Sequence, residues 1–183
     1  MSAIPATPVG AIHSKSVDTR PMAQQRPQSV LVVAAHPDDE TLGAGGTIAR
    51  HVAEGHAVHL VIGSDGAAVR GLNHTREPRL RDDILSQSES VFNSPGWRNA
   101  HKAAAIFGVT SLTVHDLPDS KFDTLTILEI AKLIEMHIDR TRPSIVYTHS
   151  PCDINQDHRI LGEATAVACR PKPGHPVHEL YFY

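Results

Sequence analysis

SVLVVAAHPDDETLGAGG, residues 29–46, is the stretch from which the rest of the chain is read. Val30 to Ala35 is a short apolar run rich in β-branched residues, the composition of a strand buried on both faces of a parallel sheet. It runs directly into His36, Pro37, Asp38, Asp39 and Glu40, so one imidazole and three carboxylates stand at the strand's carboxyl end. Open parallel sheets bind ligands in the crevice beyond those ends. His36 and Asp39, three residues apart in a tight loop, suit a borderline-hard cation such as zinc, with iron or manganese as further options, and leave Asp38 for another task. The same residues also fit an Asx-turn or a helix cap, with Glu40 or Thr41 capping a helix that starts near Leu42.

Outward from this stretch, Gly43, Gly45 and Gly46 form a turn that lets the backbone approach another group closely, and Thr47 to Glu54 continue as a helix ended by Gly55. Val58 to Ile62 is a second strand, which completes a βαβ unit with a right-handed crossover. GAGG is not a GxGxxG fingerprint, so a nucleotide-binding Rossmann reading has no phosphate motif behind it. Ala67 to Pro95 is long, polar and charged, the composition of a lid or binding loop. Within it Arg70, Arg76, Arg79 and Arg81 are candidate contacts for an anionic or polyhydroxyl substrate, although a solvated charged loop is the favoured reading for any one of them. Trp97 to Phe107 is a helix stopped by Gly108, Ser111 to Val114 a third strand, and Thr126 to Arg140 an amphipathic helix. Ser144 to Thr148 is a fourth strand, Arg159 to Ala168 a helix, and Glu179 to Tyr183 a fifth strand.

The 183 residues suffice for one core, and the formal net charge of -3 leaves no basic footprint, so nucleic acid is not indicated as a partner. No apolar run is long enough to span a bilayer and residues 1–28 lack an apolar signal core, so the expectation is a cytoplasmic protein with no integral membrane segment. Residues 1–28, mixing Pro, Ser, Gln and Ala without a period, are expected to be a disordered tail preceding a single domain at 29–183. Cys152 and Cys169 carry no CxxC spacing and are expected to be reduced thiols. With thirteen histidines in the chain, only those beside carboxylates at strand ends count as ligand candidates. His51, His56 and His59 are accordingly expected to lie on the surface without a role, His115 and Asp116 to shape a loop, Asp153 to be a turn residue and Cys152 a bystander.

The fourth strand runs into His149, Ser150, Pro151, Cys152, Asp153, Ile154, Asn155, Gln156, Asp157 and His158. Alternating strands and helices predict a Rossmann-like, three-layer α/β/α fold with a mainly parallel sheet in the order 3-2-1-4-5. In that order the first and fourth strands are neighbours where the winding reverses, and His36 and Asp39 face His158. A His-Asp-His triad with an open fourth position is the ligand set of a catalytic zinc.

AHPDDETLGAGG (35–46) and THSPCDINQDHR (148–159), with the fainter LPDSKFD (117–123) and RPSIVYTHSP (142–151), together resemble the PIG-L (LmbE-like) deacetylase family, metal-dependent enzymes that remove acetyl from N-acetylglucosamine-containing substrates. The resemblance implies that His36, Asp39 and His158 hold Zn2+, or another divalent metal such as Fe2+, that Asp38 is the general base, and that Asp157 supports a ligand from behind. Many members read HPDH where this chain has Asn155 to His158. The histidine that assists the oxyanion in those members is therefore Asn155 here, and either His149 from the strand end or Asn155 as a neutral donor takes that role. A motif glutamate on the helix after the long loop corresponds to His101. Members continue beyond the position of Tyr183, so the resemblance implies a domain lacking the family's C-terminal part. The implied function is hydrolysis of the N-acetyl group of a small-molecule amino-sugar conjugate. The alternative is a truncated or catalytically silent metal- or ligand-binding α/β module, and the oligomeric state is left open.

Overall fold

The computed structural model describes residues 27–66 and 94–183. Within them five strands, β1 Ser29–Ala34, β2 Ala57–Ile62, β3 Ser111–Val114, β4 Ile145–Thr148 and β5 Glu179–Phe182, form one all-parallel sheet in the order β3-β2-β1-β4-β5. Four helices connect them: α1 Asp39–Ala53, α2 Pro95–Phe107, α3 Ile127–Thr141 and α4 Gln156–Ala168.

The period of two in β1 sorts its side chains between two cores. Val30, Val32 and Ala34 face Ala44 and Ile48 of α1 and Ala100 and Ala104 of α2, whereas Leu31, Val33 and Ala35 pack with Ile130, Ile134 and Ile138 of α3 and Leu161 and Ala164 of α4. Every one of these β1 side chains is buried, as a central parallel strand covered on both faces requires. Local chemistry starts and stops the helices where these layers need them. Ser94 caps α2 by accepting the Trp97 N–H, and Gly108 ends it at φ 74. Thr126 and Glu129 make a reciprocal capping box at the head of α3.

Two helix starts differ from the sequence expectation. α1 begins at Asp39 and runs through GAGG, and α4 begins at Gln156, which places Asp157 and His158 in its first turn. Two of the three glycines of α1 are contact positions: a Cβ on Gly43 would lie 2.2 Å from the Tyr183 ring and one on Gly45 would touch Phe107, whereas one on Gly46 would meet nothing within 4 Å. Close packing therefore accounts for Gly43 and Gly45 in a run that, read along the chain, has the composition of a turn. For α4 the cap is Asn155, whose Oδ1 accepts the Asp157 N–H at 2.9 Å.

The tail expected at 1–28 lies outside the described residues up to position 26, as does the loop at 67–93 with Arg70, Arg76, Arg79 and Arg81. Gln28 is already held, its carbonyl accepting the Ala57 N–H at 2.8 Å and its side chain the Ser144 hydroxyl at 2.9 Å. No helix among the described residues is long and apolar enough to cross a membrane.

Candidate metal centre

The sheet order makes β1 and β4 neighbours and sends their chains to opposite faces, opening a crevice at their carboxyl ends. His36 follows β1, Asp39 opens α1, His149 follows β4 and His158 lies in the first turn of α4. One ligand atom from each of His36, Asp39 and His158 falls within 4.8 Å of the others. Asp39 Oδ2 stands 3.4 Å from His36 Nδ1 and 3.2 Å from His158 Nε2, and accepts the His36 backbone N–H at 2.8 Å.

The outward-facing ring nitrogens are each held by a carboxylate. His36 Nε2 lies 3.1 Å from Asp157 Oδ2 and 3.3 Å from Asp119 Oδ1, and His158 Nδ1 lies 3.1 Å from Asp153 Oδ2. Asp157 is buried and also accepts the backbone N–H groups of Ser120, at 2.7 Å, and Phe122, at 3.1 Å. It therefore ties the loop after β3 to the first turn of α4 and sets the His36 ring between them. Carboxylates behind imidazoles fix the tautomer that turns the other nitrogen inward, an arrangement common behind metal-binding histidines.

Electrostatics agree with a cation-seeking pocket. Burial would lower the His36 pKa, yet its carboxylate partners Asp119, Asp157 and Asp39 outweigh it and raise the value to about 11. Burial likewise opposes the upward shift of His158, which Asp39 and Asp153 drive. Burial would raise Asp39, but the imidazoles of His158 and His36 and the His36 backbone N–H hold it well below the usual carboxylate range. In the metal-free chain protons on the imidazoles balance the surplus of carboxylates, and a divalent cation on the inward-facing nitrogens would replace them. Mixed N and O donors converging from three sides, with their outer atoms already satisfied, fit zinc or a neighbouring first-row divalent ion.

Asp38 occupies the N-cap position of α1 but makes no side-chain capping bond. Its backbone N–H is taken by Glu40 Oε2 at 3.1 Å, so the purely capping reading of this acidic cluster falls to Glu40. Asp38 is exposed, between Pro37 and Asp39, at φ 124.

His149 is buried, stacks on His158 with ring centroids 3.9 Å apart, and places Nε2 3.3 Å from Asp39 Oδ2. The Ala35 backbone N–H donates to that same Nε2 at 2.9 Å. Nε2 is thus an acceptor, its approach to Asp39 is a contact between two acceptors, and the ring is neutral. Its pKa is lowered accordingly, burial prevailing over Asp39. His149 thus supports β1 and His158 and offers the crevice no Nε2 proton. Asn155, exposed with Oδ1 engaged in the cap, keeps its amide N–H groups to donate.

His101 stacks on Trp97 at 3.6 Å and bonds the Trp97 carbonyl through Nδ1, outside the cluster. Sequence reasoning missed Asp119 and read Asp153 as a turn residue. Asp153 does hold the turn, accepting the Asn155 N–H, and it braces His158 as well. The available signal was position, since both carboxylates follow strands that end at the crevice.

A family profile described as PIG-L, GlcNAc-PI de-N-acetylase, matches residues 31–169. The chain is similar, at 29% identity over 78% of its length and 52% of the relative's, to a 1D-myo-inositol 2-acetamido-2-deoxy-alpha-D-glucopyranoside deacetylase of Catenulispora acidiphila. It therefore spans about half the length of such curated relatives. Among solved structures, the N,N'-diacetylchitobiose deacetylase of Pyrococcus horikoshii shares the fold, with a TM-score of 0.60 at 23% identity over 78% of this chain and 49% of that one. The 4-carboxy-2-hydroxymuconate hydratase GalB of Pseudomonas putida KT2440 aligns with a TM-score of 0.54 at 30% identity over 81% of this chain and 60% of that one.

Proposed function

Because the chain belongs to the PIG-L family, whose profile covers residues 31–169, we propose that it is a zinc-dependent N-deacetylase that hydrolyses the acetamide of an N-acetylglucosaminyl-type conjugate. The observation that carries the reading is the convergence of His36, Asp39 and His158 within 4.8 Å at the reversal point of the sheet. Braced outer nitrogens on both imidazoles and the similarity to a deacetylase of a 2-acetamido sugar support it.

His36 Nδ1, Asp39 Oδ2 and His158 Nε2 would hold the cation. Once bound, it supplies a Lewis acid for the amide carbonyl and a water acidified to a pKa of about 7. Asp38, exposed beside these ligands and not one of them, accepts the water's proton as oxygen bonds to the carbonyl carbon. It returns the proton to the amine nitrogen as the C–N bond breaks and acetate leaves. Asn155 donates an amide N–H to the developing oxyanion, the role for which the buried His149 has no Nε2 proton.

The test is acetate release from a panel of N-acetylglucosamine conjugates, with metal content measured, before and after chelation and zinc return. Chelator-sensitive release restored by zinc is the expected result, and a chain that binds no metal overturns the site. The similarity to a hydratase motivates a second reading, in which the same crevice activates water for addition to an unsaturated acid. Consumption of 4-carboxy-2-hydroxymuconate without acetate release from any amino sugar would select it, and bound metal without either turnover would select a silent module.

A further inference from the structure

We propose that His51, Glu54 and His56 form a second divalent-cation site, at the amino-terminal end of the sheet and away from the His36, Asp39 and His158 cluster. The sequence reading assigned these histidines to the surface without a role. The fold instead turns them toward one another, because α1 ends at Ala53 and the chain reverses through Gly55, at φ 79, to enter β2 at Ala57. All three side chains are half-buried, and one ligand atom from each lies within 4.8 Å of the others.

The donor chemistry is that of a borderline cation. His51 Nδ1 and His56 Nδ1 face each other at 2.8 Å, with ring centroids 5.0 Å apart, so their two inward lone pairs share a single proton. A tetrahedral zinc with arms of about 2.0–2.1 Å needs ligand atoms about 3.3 Å apart, which these rings reach by opening roughly half an ångström through soft χ2 rotation. The outer nitrogen of His51 is already supported: Nε2 lies 3.0 Å from the Tyr147 hydroxyl on β4. With a cation on Nδ1, the His51 proton moves to Nε2 and donates to that hydroxyl, the bracing seen behind metal-bound imidazoles. Glu54 supplies the oxygen donor. Arg50 Nε holds its Oε1 at 2.7 Å from the exposed side, orienting the carboxylate and leaving its second oxygen for the cation. Two imidazoles and one carboxylate leave the fourth position to water, and the donors suit Zn2+, Ni2+ or Cu2+ better than Mg2+ or Ca2+.

The experiment equilibrates the full chain with Zn2+, removes excess by gel filtration and measures bound zinc by mass spectrometry. Wild type is expected to hold two zinc ions per chain and His51→Ala/His56→Ala one. Asp39→Asn/His158→Ala is expected to retain one, and Zn2+ is expected to raise the Tm of that variant. Tyr147→Phe should weaken this second zinc roughly 10–100-fold and leave the first unchanged. Zinc absent from Asp39→Asn/His158→Ala, or a zinc content unchanged by His51→Ala/His56→Ala, overturns the proposal. Should the double alanine variant fold poorly by circular dichroism, Glu54→Gln and His56→Gln in the Asp39→Asn/His158→Ala background give the same reading through loss of the Tm rise. Failure of the crevice site is distinguishable, because wild type would then bind one zinc that His51→Ala/His56→Ala removes.

Discussion

Asp38 sits at φ 124, a backbone region that costs a non-glycine residue about 1–3 kcal/mol and persists only where neighbours impose it. Here the Asp39 carboxylate clasps the His36 N–H, Glu40 clasps the Asp38 N–H, and the Asp38 carbonyl accepts the N–H groups of Thr41 and Leu42. In the proposed reaction this strained residue, next to Asp39 in the chain, is the proton acceptor. Asp38→Ala is expected to lower acetate release by about 10²–10⁴-fold with metal content unchanged, whereas His158→Ala loses both. Normal turnover in Asp38→Ala would remove the general-base assignment. Asp157→Asn keeps the shape but replaces one of two accepting oxygens with an NH2, setting donor against donor at Phe122 or at Ser120 and His36, so metal affinity should fall about 10–100-fold by competition with a chelating dye.

At the scale of elements, the crevice depends on how closely α4 approaches β4. Gly162 faces the His149 backbone, and a Cβ there would lie 2.4 Å from the His149 carbonyl oxygen and 3.3 Å from Pro151 N. Neither neighbour can swing aside, since both are backbone. On propensity alone Gly162→Ala would stabilise the helix by about 1 kcal/mol. The clash should reverse that, costing about 1–3 kcal/mol in urea unfolding and loosening metal binding through His158 one turn earlier on the same helix. A more stable Gly162→Ala protein would show that the helix has room to move. The Asn155 cap and the Asp157 clasp on the loop after β3 add to the same placement, so α4 is positioned by its end as well as by Leu161 and Ala164 in the core.

For the molecule as a whole, pH also acts through a buried histidine pair that takes no part in the proposed reaction. His115 Nε2 and His137 Nε2 are 2.8 Å apart under the end of β3, with Arg140 Nη2 donating to His137 Nδ1 at 3.1 Å. Burial lowers both pKa values, and the Arg140 charge adds to it. The unfolded chain therefore takes up protons first as pH falls. The contribution to stability is complete above about 6.5 and is lost progressively as pH drops toward the folded value of about 4 for His115, by up to about 1.4 kcal/mol per pH unit for each histidine. Urea unfolding of His137→Gln should show a shallower loss between pH 6.5 and 4 than wild type, and parallel slopes would place the acid sensitivity elsewhere.

Much of this was legible in the linear chain. Val30 to Ala35 reads as a doubly buried strand because every residue in it is apolar, and the alternation of such runs with amphipathic helices reads as a doubly wound parallel sheet, whose expected order 3-2-1-4-5 is the one adopted. His36 and Asp39 were legible as crevice residues for a related reason, since polar groups placed directly after a buried strand have few destinations besides the crevice, and His158 was legible from the second polar cluster that follows the fourth strand. Only the tertiary structure decided the partners across the chain. The distance from Asp157 to His36 spans 121 positions, and whether an exposed-looking Asp153 meets His158 depends on the cap that starts α4 three residues sooner than composition suggests. The same holds for GAGG, a turn by composition yet part of α1, with Gly43 and Gly45 leaving room for Tyr183 and Phe107, and for His51 and His56, which meet through a reversal at Gly55. Burial pattern is a local property that the order of residues encodes, whereas side-chain pairing depends on packing distances set only when the sheet and both helical layers close around it.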